Sequence, residues 1–228
     1  MSGERQAICE ALAQQLESDR LLGGGDVPFV MPAMSRAGAV PRVRGEESAS
    51  LAAIDEDQVR GCRKCGLCEG RTNTVFGSGS DQARLVFVGE APGFEEDRQG
   101  LPFVGRAGDL LTKMIVAMGL RREEVYICNV LKCRPPNNRD PAAEEIAACS
   151  DYLFAQLSII HPEVIVALGA PAARTLLGTS EGIGRLRGRF HDFYISGTPA
   201  IGEPTPLMPT YHPAYLLHSP GEKSKTWS

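Results

Sequence analysis

The chain has 228 residues, 43% of them hydrophobic, which is enough for one sizeable core and too few for a second full domain. Residues 1–57 hold 5 basic and 10 acidic side chains, so the formal charge of −4 leaves 58–228 nearly neutral, and charge alone points to no polyanionic partner. No apolar run is long enough to cross a bilayer, and the opening MSGERQAICEALAQ lacks a basic n-region and an apolar h-region, so a cytoplasmic protein is expected.

Glu4–Leu22 reads as a helix with Ile8, Leu12 and Leu16 on one stripe, and the Pro, Gly, Ala and Ser that follow to about Ser50 cannot pack a core. Residues 1–50 are therefore expected to be a small helix with a flexible tether, open to a protein partner, and residues 51–228 the folded domain. A short helix leads into Cys62. Strands are expected at Arg84–Gly89, Val125–Val130, Val164–Gly169 and Leu207–Tyr211, with Gly188–Ser196 as a further strand in a hairpin. Helices are expected from Gly105 through Met118, over Pro141–Ile160 and over Pro171–Leu177. Near-continuous apolar strands alternating with helices predict a three-layer α/β/α sandwich around a mainly parallel, four-stranded sheet.

Seven cysteines without an export signal argue against a disulfide framework. Cys62 and Cys65 form a C-x2-C pair, with Cys133 and Cys149 far downstream. Four thiolates suit zinc or a [4Fe–4S] cluster, and spacing alone leaves these two even, with unliganded thiols a third reading. Cys68 could replace one of the four. Cys128, inside a strand, is expected to be core, and Cys9 incidental.

Gly89–Leu111 (GEAPGFEEDRQGLPFVGRAGDLL) collects carboxylates, an aromatic and five glycines where a buried strand ends, the place where open α/β sheets bind ligands. It reads as a long loop between a strand and a helix. GEAPG lacks the Lys-Ser/Thr ending of a P-loop and the spacing of a dinucleotide fingerprint. Together with VYICNVLKCRPPNNRDP and HPAYLL, this segment resembles the family 4 uracil-DNA glycosylases, the prokaryotic group that carries an iron–sulfur cluster. The likeness runs from about Val59 to Leu217. It implies a [4Fe–4S] cluster on Cys62, Cys65, Cys133 and Cys149, uracil-containing DNA as partner, a monomer near the nucleoid, and Lys132, Arg134 and Arg139 facing phosphates. It also implies a closing helix beyond GEKSKTWS.

The resemblance assigns roles residue by residue. Phe103 matches the stacking aromatic, Asn129 the amide that reads the uracil edge, and His212 the donor to the uracil O2. Glu96 matches the carboxylate near C5 that disfavours thymine, while Gly89 and Gly93 admit backbone close to the base or sugar. Related families carry an aspartate where Ala91 stands, so Glu90 and Asn138 are the candidates to hold water. Tyr215, Leu216, Leu217 and His218 are candidates for groove contact or strand intrusion. Without the resemblance each has an ordinary reading: Phe103, Tyr215 and Leu216 as core, Asn129 as a turn former, His212 as structural. A non-catalytic iron–sulfur DNA-binding module is the rival function.

Overall fold

The computed structural model describes residues 50–195 and 202–223. The expected leading helix, the tether, Cys9, the end of the Gly188–Ser196 strand and the segment 224–228 lie outside the described residues.

Among the described residues six strands form one sheet: β1 (Ser78–Gly79), β2 (Leu85–Gly89), β3 (Tyr126–Asn129), β4 (Val164–Leu168), β5 (His191–Phe193) and β6 (Thr205–Thr210), in the order β1-β3-β2-β4-β6-β5. The four inner strands run parallel, as expected. Two short antiparallel edges, β1 on β3 and β5 on β6, extend them. The SG dipeptide of β1 carries no apolar period, which is why the pattern did not reveal it.

β2 and β4 are buried along their whole length because helices cover both faces. Alternation then sorts their side chains. Val86, Val88, Ile165 and Ala167 join Leu153, Leu157, Ala172 and Leu176 on one face. Leu85, Phe87, Val164 and Val166 join Leu111 and Ile115 on the other. In chain order the helices are α1 (Leu51–Ile54), α2 (Phe94–Gln99), α3 (Arg106–Ala117), α4 (Ala143–Ile160), α5 (Ala170–Leu177), α6 (Ile183–Leu186) and α7 (Pro213–His218). A π-helical turn, Asp55–Val59, continues α1 toward Cys62.

Helix α2 corrects the reading of Gly89–Gly105 as loop throughout. Glu95, Glu96 and Asp97 occupy its first turn and Gly100 closes it at φ 71°, which are favourable charge at a helix start and a left-handed C-cap. The buried Asp97 carboxylate accepts the Thr72 and Asn73 backbone N–H groups at 2.9 and 3.4 Å, fastening α2 to the cysteine-bearing segment. A third apolar cluster, with Ile54, Val59, Leu67, Phe76, Leu131 and Tyr152, packs that segment on α4.

Candidate active site and thiol cavity

Parallel β2 and β3 end side by side, with Gly89 opposite Asn129 in register, and β6 ends two residues before His212. A cavity of about 320 Å³ opens at these C-terminal ends. Glu90, Gly93, Glu96, Phe103, Asn129, Asn138 and His212 all line it. Gly89 lies behind the wall. A Cβ there would collide with Asn129 Oδ1 and come within 2.7 Å of the Phe103 ring, so glycine is required by close approach.

Asn129 is 1% exposed, and its Oδ1 is buried without a hydrogen-bond partner. Such an orphan acceptor costs about 1–3 kcal/mol unless a ligand satisfies it. Phe103 sits beside it at φ 51°, an uncommon conformation for a bulky residue. Arg122 holds it there: Nη2 donates to the Pro102 and Phe103 carbonyls at 2.6 and 3.0 Å, and Nη1 to Thr112 Oγ1 at 3.1 Å. Gly108 completes the seat, since a Cβ on it would run into the Phe103 backbone.

The His212 ring lies 5.5 Å from the Phe103 ring, centroid to centroid. Its Nδ1 accepts the Ala214 backbone N–H at 3.1 Å, so the neutral imidazole keeps its proton on Nε2. Burial pulls its pKa down to about 4, against a weak opposing pull from Glu96. The side chain is therefore a neutral N–H donor at physiological pH.

Burial raises the Glu90 pKa, with Asp140 adding to the effect. Asn138 is in the left-handed region at φ 54° and its Oδ1 accepts Arg134 Nε at 2.7 Å. Glu96 has a second task beyond the cavity: its Oε1 accepts Val104 and Gly105 N–H at 3.1 and 3.3 Å, clamping the turn that carries Phe103.

Cys62, Cys65, Cys68, Cys133 and Cys149 line a second cavity. Donors point at its sulfurs. Arg71 Nη1 reaches Cys133 Sγ at 3.3 Å while also binding the Cys62 carbonyl. Lys132 N donates to Cys149 Sγ at 3.3 Å, and Tyr152 OH lies 3.4 Å from Cys62 Sγ. Burial pushes the Cys133 thiol up to about 11, partly opposed by Arg71. Among the described residues, no three His, Cys, Asp or Glu side chains converge as a site for a single metal ion. Cys128 is fully buried in β3, as expected of a core residue.

A family model described as the uracil DNA glycosylase superfamily matches residues 76–228. A type-4 uracil-DNA glycosylase of Thermotoga maritima is 51% identical over 170 residues, 74% of this chain and 84% of that protein. The type-4 enzyme of Archaeoglobus fulgidus is 48% identical, covering 72% and 81%. The type-4 enzyme of Saccharolobus solfataricus is 47% identical, covering 72% and 76%. The chain belongs to the type-4 uracil-DNA glycosylases.

In this type-4 chain one sequence expectation fails outright. Lys132 cannot meet phosphates, because it is 1% exposed and its Nζ donates to the Asn129 carbonyl at 2.7 Å and to Gln156 Oε1 at 2.6 Å. The apolar run VYICNVL carries it inward. Arg139 is held by Glu145 at 2.7 and 2.9 Å, which leaves it half occupied. Leu216 is core at 2% exposure, while Tyr215 is exposed with its ring 5.0 Å from Tyr211. Sequence reading missed the positioning roles of Arg122, Arg71 and Gln156. Each is a long polar side chain whose partners are backbone and side-chain groups elsewhere in the chain, and no local motif marks that.

Proposed function

We propose that this chain hydrolyses the N-glycosidic bond of uracil in DNA, taking the flipped-out base into the cavity and leaving an abasic site. The orphaned Asn129 Oδ1 carries the reading. A uracil edge offers N3–H between two carbonyl oxygens, and an amide that both accepts and donates matches it. Phe103 gives the base a face to stack on, and Gly89 lets both side chains approach.

As the C1′–N1 bond breaks, its electron pair moves onto the uracil and negative charge gathers at O2. The His212 Nε2–H meets it and, being neutral, gains most where the charge develops. Water adds to C1′ of the oxocarbenium-like sugar and loses a proton to solvent, from which the departing uracil anion takes one up. Glu90 and Asn138, on the cavity wall, hold that water. Glu96 lies where a C5 methyl would press on a carboxylate and desolvate it.

Cys62, Cys65, Cys133 and Cys149 would hold a [4Fe–4S] cluster, and the N–H donors at their sulfurs would suit its negative charge. When bound, it supplies a structural cross-link between residues 62–71 and α4. The chain acts as a cytoplasmic monomer.

Incubation with an end-labelled uracil oligonucleotide, followed by alkali, tests the activity. Breaks at uracil are expected; tight DNA binding without breaks in a preparation that retains its brown cluster would overturn it in favour of a non-catalytic module.

A further inference from the structure

Helix α2 presents an exposed aromatic at the cavity rim that the reaction as derived does not use. Phe94 is 55% exposed, and its chain neighbours Pro92, Gly93 and Glu96 line the cavity. One face of the ring is covered by the Arg134 guanidinium, 5.1 Å from the centroid. Arg134 is in turn fixed by its 2.7 Å bond to Oδ1 of Asn138, which lines the same cavity. The ring is thus held between a cation and solvent, next in the chain to Gly93 of the cavity wall. A guanidinium plane on an aromatic face is a stable platform, and an exposed platform of this kind accepts any nucleobase, since every base has a π-face.

We propose that Phe94 and Arg134 form a stacking ledge for an unpaired nucleobase immediately flanking the flipped uracil. This rests on the uracil-excision reading. Flipping one nucleotide strips its neighbours of a stacking partner on one side, and the ledge replaces that partner at the cavity mouth. Asn138 then joins two tasks: it faces the reacting sugar and, through Arg134, sets the plane of the ledge. The ledge recognises no particular base, because stacking and charge carry no edge-reading information.

Equilibrium binding to a single-stranded oligonucleotide containing 2′-fluoroarabinouridine, which resists glycosidic cleavage, separates the ledge from catalysis. The flanking nucleotide on the 5′ side, then on the 3′ side, is replaced by a tetrahydrofuran abasic residue. For the wild-type protein, removing one of the two flanking bases is expected to weaken binding about tenfold. Phe94→Ala should weaken binding to the full oligonucleotide by a similar factor and lose sensitivity to that same flank, while Phe94→Trp restores it. Phe94→Ala binding every oligonucleotide as the wild type does would overturn the ledge and leave the ring to a protein partner. Losses that multiply independently would also overturn it. Uracil release by the wild-type protein, measured separately, decides the underlying reading, and no binding of any oligonucleotide would sink both.

Discussion

At the scale of single residues, His212 sets the acid limit of the site. Its pKa of about 4 lies below the ordinary histidine value near 6.5, so the unfolded chain binds this proton more readily than the folded one. Its contribution to stability is therefore complete above about pH 6.5 and is lost as pH falls toward 4. Glu90 is raised by burial, so its carboxylate also fails on the acid side. Single-turnover excision should rise through the acid range and stay level across pH 7–8. A rate that declined as pH rose through 6.5 would mean a protonated imidazole and contradict the donor role. Glu90→Gln and Asn138→Ala should each slow excision by about 10-fold or more if they hold water; near-normal rates in both variants would remove them from that role. Glu96 is best tested as Glu96→Gln, which keeps an acceptor for Val104 and Gly105 N–H while removing the charge. Thymine release should rise relative to uracil release, and an unchanged ratio would dismiss Glu96 as the C5 guard.

At the scale of elements, the turn between α2 and α3 is where sequence and site meet. GLPFVGRAG shows an aromatic between glycines, but the left-handed conformation of Phe103 is imposed by Arg122 from the turn after α3. Arg122→Ala should release Phe103 toward ordinary φ and weaken uracil binding by about 10-fold or more, with less effect on thermal stability. Retained affinity would show that Gly108 and packing hold the ring unaided. Gly89→Ala should do worse, because β2 is central and the added methyl meets both Asn129 and Phe103. About 1–3 kcal/mol of stability should be lost together with most uracil affinity, as read by thermal unfolding and oligonucleotide binding. The parallel strands themselves were legible from their apolar runs. Helix α2 was not, because six residues with four charges show no apolar stripe, and its stability comes from the Asp97 anchorage and Gly100.

Across the whole molecule, Lys132 links the two cavities: it lines the thiol cavity, its backbone N–H meets Cys149 Sγ, its Nζ binds the carbonyl of Asn129 on the wall of the other cavity, and Gln156 continues the network to Phe76 and Tyr126. Lys132→Met keeps much of the side-chain volume while removing the donor. It should lower uracil affinity, since the Asn129 carbonyl loses its anchor, and leave the visible absorption of the proposed cluster as in the wild type, since the backbone N–H to Cys149 Sγ is kept. Unchanged affinity would reduce Lys132 to filler. Cys62→Ala should cost visible absorbance and thermal stability first, with excision falling as residues 62–71 loosen from α4.

The sequence by itself determined the four parallel strands and the longer helices, because burial periodicity is a local property of the chain; the residues around the cavity were reached through the family resemblance, since taken alone each had an ordinary reading. It also placed Cys128 in the core. It could not determine what Lys132 faces, what bends Phe103, or that Phe94 stands exposed beside Arg134. Those facts depend on contacts between segments 19 or more residues apart, and only the closed tertiary structure decides which long polar side chain finds which distant group.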